Sequence, residues 1–218
     1  TLFPYTTLFR SMLTSFNPGS GKSFLAMNIA MSFAIKKKRI LVIDGDLRHG
    51  STSSYVDSPK TGLSDYLGNR VSDWKEIIVK DEKYDNLHII PIGTVPPNPT
   101  ELLEDGKLAT LIEVLRSEYD YIFIDCPPID IVADAQIIEK LADRTVFVVR
   151  SGLLDRSMLP ELENIYQEKR FKNLSVILNG TESAGGRYGY RYGYRNGYSS
   201  YYGNKGKMGG VNGWSSSD

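Results

Sequence analysis

The fold is decided by the stretch MLTSFNPGSGKSF, residues 12–24, where a short apolar segment runs through a glycine-rich loop into a helical pattern. Glycines let backbone N–H groups close around phosphate oxygens, and the N-terminus of the following helix adds favourable partial charge. Lys22 is expected to reach the β- and γ-phosphates of a nucleotide, and the Ser23 hydroxyl to bind Mg²⁺. The full pattern G-x-x-x-x-G-K-[ST] requires glycine at residue 16, where this chain has Phe16, so a glycine-rich turn without a ligand stays open as an alternative.

Working outward, apolar runs alternate with helical patterns along the chain. Strands are predicted at residues 12–15, 40–44, 87–93, 121–125, 145–149 and 174–179, and helices after residue 22 and near residues 63–67, 73–79, 101–116, 134–142 and 159–169. The apolar runs ILVID and YIFID are typical of parallel strands buried on both faces. The alternation predicts an α/β protein, an open doubly wound parallel sheet with helices on both faces.

Three carboxylates follow or end these strands. Asp44 and Asp46 lie in VIDGDLR, and Asp125 lies in IFIDCPP. The carboxyl ends of parallel strands are where such sheets place their ligands. Each carboxylate alone could merely cap a helix, but together with the Lys–Ser loop they predict a Mg²⁺–phosphate site, because Mg²⁺ prefers oxygen ligands.

Composition limits the remaining possibilities. The 218 residues include 26 basic and 26 acidic side chains, but residues 184–218 carry a net charge of +4 and the preceding residues −4. The single Cys126 cannot form an intramolecular disulfide, and we interpret it as a small buried residue. No apolar run is long enough to span a bilayer. Residues 1–11 resemble the translation of a sequencing-library adapter, so we expect them to lie outside the fold, with the P-loop domain at residues 12–182.

Residues 183–218 have a different composition, rich in glycine and tyrosine and nearly without aliphatic residues. Such a segment buries too little apolar surface to offset the entropy of ordering, so disorder is expected. Seven tyrosines fall within fifteen residues: Tyr188, Tyr190, Tyr192, Tyr194, Tyr198, Tyr201 and Tyr202. Arg-Tyr-Gly sequences can also stack on bases, but an RNA-binding module would leave the three aspartates unexplained.

The loop at residues 19–23, DGDLR at residues 44–48, IFIDCPP at residues 122–128 and the terminal tyrosines together resemble the bacterial tyrosine kinases of capsular and exopolysaccharide assembly. The resemblance extends from Met12 to the C-terminus. It implies a protein-tyrosine kinase that uses ATP and Mg²⁺ and autophosphorylates its C-terminal tyrosines. A partitioning-type P-loop ATPase is the alternative, but such enzymes carry a signature lysine where this chain has Asn17.

The resemblance also implies roles for individual residues. Lys22 would bind the transferred phosphate, and Asp44 would accept the proton of the tyrosine hydroxyl. Asp46 would be a further catalytic residue that holds Mg²⁺. Arg48 would either stabilise phosphate charge or pair with a carboxylate. The expected Mg²⁺ ligands are Ser23, Asp46 and Asp125; the expected nucleotide-binding residues are Gly19, Ser20, Gly21, Lys22, Ser23, Phe24 and, at the adenine, Asn179, which could instead be a turn residue.

The partners that the resemblance implies are the chain's own C-terminal segment or that of a neighbouring subunit, and a membrane-spanning polysaccharide chain-length or co-polymerase domain. It further implies a homo-oligomer in the intact protein, an opposing tyrosine phosphatase, no nucleic acid, and a location at the cytoplasmic face of the bacterial inner membrane.

Overall fold

A seven-stranded sheet forms the centre of the protein in the computed structural model, which describes residues 9–129 and 133–181. The strands are β1 (Phe9–Thr14), β2 (Ile40–Asp44), β3 (Val79–Lys80), β4 (Leu87–Ile90), β5 (Tyr121–Asp125), β6 (Arg144–Arg150) and β7 (Ser175–Asn179). Their order is β3-β4-β2-β5-β1-β6-β7. All neighbours are parallel except the edge pair β3–β4, which confirms the predicted doubly wound α/β fold.

The described residues form six helices: α1 (Lys22–Ile35), α2 (Leu63–Leu67), α3 (Pro99–Glu104), α4 (Lys107–Glu118), α5 (Asp134–Glu139) and α6 (Leu159–Gln167). Short 3-10 turns occupy Ser53–Val56, Trp74–Ile77 and Arg156–Met158. No described helix is long and apolar enough to cross a membrane.

The helix α1 packs closely against the sheet because small residues face inward. Ala26, Ala30 and Ala34 are buried beside Met27 and Met31 on the face that also holds Val42. A stripe of alanines lets the helix backbone approach the strands. The N-terminus of α1 is thereby held directly at the end of β1.

Two predicted helices differ from the observed ones. The single helix expected at residues 101–116 is divided into α3 and α4, because Gly106 has a φ of 79°, a conformation outside the helical region. The helix expected at residues 73–79 is a 3-10 turn, and β3 follows it. The spacing of apolar residues continues through Gly106 and through residues 73–79, so it did not predict either difference.

The first strand begins earlier than predicted. Phe9, Arg10 and Ser11 pair with Tyr121–Phe123 of β5, so the expectation that all of residues 1–11 lie outside the fold is wrong for these three. Backbone pairing accepts any side chain here, and Arg10 finds a partner, since its guanidinium binds the Asp143 carboxylate at 2.6 Å. The adapter origin of this segment stays a prediction. The expected C-terminal segment, residues 183–218, lies outside the described residues.

Candidate functional site

The glycine-rich loop connects β1 to α1 with two residues in left-handed conformation. Gly19 has a φ of 72° and Gly21 a φ of 93°, conformations that favour glycine. The loop is also held from inside, because the Ser15 and Ser20 hydroxyls both donate to the Asn17 carbonyl, at 2.7 and 2.8 Å. The loop is therefore held in its turn by its own side chains.

Phe16 explains how the loop forms without the expected glycine. Its side chain is only 3% exposed and meets the edge of Phe147 with ring centroids 4.8 Å apart. The backbone φ angle of Phe16 is not positive. An L-residue is thus unstrained at this position, and the aromatic ring anchors the loop in the core.

The first turn of α1 places Lys22 and Ser23 where the loop ends. No side chain of the described residues caps this turn, and the turn contains no acidic residue, so its backbone N–H groups are available to an anion. The Lys22 side chain is buried, which lowers its pKa, while Asp125 and Asp46 act in the opposite direction. Phe24, the next residue, is exposed.

Asp44 and Asp125 lie side by side at the carboxyl ends of β2 and β5. The strand register pairs them directly, and neighbouring strands are about 4.8 Å apart. Asp44 is 0% and Asp125 1% exposed. In both residues Oδ1 is buried and has no hydrogen-bond partner among the described residues, so each carboxylate has one unsatisfied oxygen.

Burial changes the acidity of both groups. It raises the pKa of Asp44 to about 7, with the negative charge of Asp125 as the next cause, while hydrogen bonds from Ser53 act against the shift. Burial also raises the pKa of Asp125, opposed by the hydroxyls of Ser23 and Thr52 and the charge of Lys22. Asp44 can therefore exchange a proton near neutral pH.

Asp46 joins this pair from the loop after β2. Its Oδ1 accepts backbone N–H groups of Arg48 and His49, each at 3.2 Å, which fixes the carboxylate near Lys22. Arg48 itself turns elsewhere. Its Nε lies 3.3 Å from Asp134 Oδ2, and its Nη2 donates to Thr100 Oγ1 at 3.0 Å. Of the two roles considered for Arg48, the structure shows pairing with a carboxylate.

Two residues at the ends of β6 and β7 hold the loop from its other side. Asn179 Nδ2 donates to the Ser20 carbonyl at 2.9 Å, and Arg150 Nη1 donates to the Gly19 carbonyl at 2.7 Å. A Cβ on Gly21 would lie 2.3 Å from Asn179 Nδ2, so a larger residue there would displace the Asn179 side chain from the loop. The predicted adenine-contacting Asn179 thus touches the phosphate loop in this structure.

The residues present fit a Mg²⁺ ion that is also bound by phosphate and water. Ser23 lies beside Asp125, and the unsatisfied Oδ1 atoms offer hard oxygen ligands. Among the described residues no group of three or more His, Cys, Asp or Glu is arranged as a self-sufficient metal site. Mg²⁺ commonly takes one or two carboxylates and completes its shell with substrate oxygens.

Several site residues escaped the sequence analysis: Thr52, Ser53, Asp134 and Arg150. Thr52 and Ser53 could have been found from their position, because they are polar residues that follow soon after β2, the strand that ends at Asp44. Arg150 could be found only from the strand order, which brings β6 beside β1. Cys126 is buried, as predicted, and burial raises the pKa of its thiol. The seven candidate tyrosines lie outside the described residues.

Comparison with known proteins shows the family of this chain. The sequence profile of a family described as "AAA domain" matches residues 12–168. Tyrosine-protein kinase CpsD of Streptococcus pneumoniae is 35% identical over 197 residues, covering 89% of this chain and 82% of the relative. The solved kinase domain of Escherichia coli tyrosine kinase ETK is similar with a TM-score of 0.75 and 31% identity, covering 88% of this chain and 74% of that chain.

A more distant likeness concerns the fold alone. The septum site-determining protein MinD of Pyrococcus horikoshii, solved with Mg-ADP, gives a TM-score of 0.64 at 21% identity, covering 79% of this chain and 70% of that chain.

Proposed function

Because this chain belongs to the bacterial tyrosine-protein kinases, with an AAA-type P-loop domain, we propose that it transfers the γ-phosphoryl group of ATP to tyrosines of residues 183–218. One observation carries the proposal. Two buried aspartates stand in register, one of them near the P-loop lysine, and each has one unsatisfied oxygen. Such a site can both hold a metal–phosphate group and take a proton.

The nucleotide would be held by the loop and the first turn of α1. Backbone N–H groups of residues 19–24 would surround the phosphates, and Lys22 would neutralise charge on the transferred group. Desolvation of Lys22 strengthens this attraction, because charges interact more strongly where water is excluded. Arg150 and Asn179 would keep the loop in its binding shape from the side of β6 and β7.

Mg²⁺ would be held by Ser23, Asp46 and Asp125, directly or through water. Bound there, the ion supplies neutralisation of the phosphate oxygens as charge develops on them. Asp125 would keep its unsatisfied oxygen toward the ion, while its other oxygen accepts a hydrogen bond from Thr52. Lys22 beside these carboxylates balances their negative charge.

Asp44 would accept the proton of the attacking tyrosine hydroxyl. A free tyrosine has a pKa of about 10, so a proton acceptor beside it helps at neutral pH. With its pKa raised to about 7, the Asp44 carboxylate is a better base than an ordinary aspartate and is still ionised in part at neutral pH. Asp46 would support the same reaction by holding the metal and phosphate in line.

The C-terminal segment suits the role of substrate because of its charge as well as its tyrosines. Residues 184–218 carry +4 against −4 for the preceding residues. Each phosphorylation adds about −1.5 to −2, so modification of three tyrosines would reverse the sign of the segment. We therefore expect the unmodified segment to be drawn to the acidic domain of a neighbouring subunit, and phosphorylation to release it. Equally tight self-association of modified and unmodified protein in sedimentation would contradict this.

The wider setting is part of the same proposal. By family resemblance, the kinase would regulate capsular or exopolysaccharide polymerisation and export with a membrane-spanning co-polymerase partner, and a tyrosine phosphatase would reverse its action. Names such as tyrosine-protein kinase CpsD among the relatives support this setting. Deleting the gene should change the chain length of the surface polysaccharide, and unchanged polysaccharide would refute the regulatory role.

The activity can be tested by incubating the protein with ATP and Mg²⁺ and detecting phosphotyrosine. Lys22→Met removes the charge at the phosphate and should abolish the signal. Lys36→Met, at the exposed end of α1, is the matched control and should retain it. ATP hydrolysis without phosphotyrosine would instead favour the partitioning-type ATPase.

A further inference from the structure

Two consecutive hydroxyl residues each serve one of the two buried aspartates. Thr52 Oγ1 donates to Asp125 Oδ2 at 2.7 Å, and Ser53 Oγ donates to Asp44 Oδ2 at 2.7 Å. Both residues are almost fully buried at the start of the 3-10 turn Ser53–Val56. The same turn therefore reaches the ends of two neighbouring strands with adjacent side chains.

The direction of the Ser53 hydroxyl is fixed by a third group. The Ile92 backbone N–H donates to Ser53 Oγ at 2.8 Å, and an N–H can only donate. The Ser53 proton must therefore point to Asp44. The Ser53 backbone N–H donates to the same oxygen, Oδ2, at 2.7 Å, so two donors converge on one carboxylate oxygen.

In each aspartate these donors contact Oδ2 and leave Oδ1 unsatisfied. Asp44 Oδ1 and Asp125 Oδ1 are buried and have no partner among the described residues. A contact that only stabilised the fold would gain more by satisfying both oxygens, because a buried polar atom without a partner destabilises the protein. The observed pattern instead reserves one oxygen of each carboxylate for a ligand.

We propose that Thr52 and Ser53 are positioning residues that divide the two aspartates between two tasks. Ser53 holds Asp44 so that Oδ1 faces the incoming tyrosine hydroxyl, and Thr52 holds Asp125 so that Oδ1 faces Mg²⁺ or its bound water. The proposal rests on the proposed kinase function and extends it to the residues that orient its carboxylates.

The geometry implies different consequences for the two hydroxyls. Without the Ser53 hydroxyl, Asp44 keeps one donor on Oδ2 and can rotate, which affects the chemical step rather than ATP binding. Without the Thr52 hydroxyl, Asp125 has lost its donor on Oδ2, which weakens Mg²⁺ binding. Misplacing a catalytic group by about 1 Å can slow a reaction on the order of 100-fold.

The test uses paired variants of the full chain. Ser53→Ala and Thr52→Val delete each hydroxyl, whereas Ser53→Thr and Thr52→Ser keep it. Ser54→Ala is the matched control, because the Ser54 hydroxyl is exposed and donates only to the Ser51 carbonyl. All are assayed at a temperature where thermal melting shows each variant folded.

We expect Ser53→Ala to lower kcat for tyrosine phosphorylation by about 10- to 100-fold with KM for ATP within about twofold of wild type. Thr52→Val should raise the Mg²⁺ concentration needed for half-maximal activity. It should also reduce the extra thermal stabilisation that Mg²⁺ gives to the ADP-bound protein, a readout independent of catalysis. The hydroxyl-retaining variants should behave as wild type.

The proposal is overturned if the hydroxyl-deleting variants match Ser54→Ala in kcat and in the Mg²⁺-dependent thermal shift. It is also overturned if the folded hydroxyl-retaining variants are as impaired as the deletions. If wild type itself forms no phosphotyrosine, the kinase proposal fails, and the Mg²⁺-dependent thermal shift of Thr52→Val against Thr52→Ser still tests the orientation of Asp125.

Discussion

Replacing Asp44 by Asn should inactivate the protein and yet stabilise it at alkaline pH. Asp44 is fully buried, and its pKa rises from an ordinary 3.8 to about 7 in the folded protein. Between those values the folded state binds a proton that the unfolded state releases. The contribution of Asp44 to stability is therefore complete below about pH 4 and is lost as the pH rises through 7.

The size of this effect follows from the shift. A difference of about three pH units, at about 1.4 kcal/mol each, makes ionisation of Asp44 cost on the order of 4 kcal/mol of folding free energy. About 3 kcal/mol of this falls between pH 5 and pH 8. Asn resembles the protonated acid, being neutral with one acceptor and one donor group, so Asp44→Asn avoids this loss.

Urea unfolding followed by circular dichroism, in the presence of a chelator, measures the difference. We expect the free energy of unfolding of wild type to fall relative to Asp44→Asn by about 3 kcal/mol between pH 5 and pH 8. Glu104→Gln, which removes a negative charge from an exposed site, should run parallel to wild type. If Asp44→Asn also ran parallel to wild type, the reasoning about the buried carboxylate would be refuted.

Three further predictions concern activity and the loop. Phosphotyrosine formation should decline as the pH falls below about 7, because protonated Asp44 cannot accept a proton; a pH–rate profile flat down to pH 5 would contradict this. Asn179→Ala should raise KM for ATP, since the Ser20 carbonyl loses its donor, whereas an unchanged KM in steady-state kinetics would deny Asn179 any role in shaping the loop. Phe16→Ala should lower the free energy of unfolding by about 3–5 kcal/mol in urea, while nucleotide binding survives at low temperature. An unchanged free energy of unfolding would show that the ring does not anchor the loop.

The general fold could be predicted because its signals are local. Apolar runs such as residues 40–44 and 121–125 predicted buried parallel strands, and both are found as β2 and β5. The break between α3 and α4 was missed because it depends on the conformation of Gly106 rather than on apolar spacing. The extension of β1 to Phe9 was missed because backbone pairing does not depend on side chains.

The site could be predicted only in part, for a similar reason. Lys22, Asp44 and Asp125 were predicted because they follow or end recognisable elements, and the structure places Asp125 beside Asp44 and near Lys22. The hydrogen bond from Thr52 to Asp125 joins residues far apart in the chain. The bonds from Arg150 and Asn179 to the loop require β6 to lie beside β1 and β7 to lie beside β6. Such contacts depend on the order of the strands in the sheet, which cannot be predicted from the pattern of apolar residues. The contact between Arg48 and Asp134 likewise depends on tertiary packing, which brings the two residues together.

The most direct test of the central claim is to follow the labelled γ-phosphate of ATP to its destination. The account predicts that wild type places the label on tyrosines, chiefly among residues 188–202 as mapped by mass spectrometry. Asp44→Asn should transfer it far more slowly while still binding nucleotide. If wild type released the label only as inorganic phosphate and no tyrosine carried it, the kinase account would be contradicted.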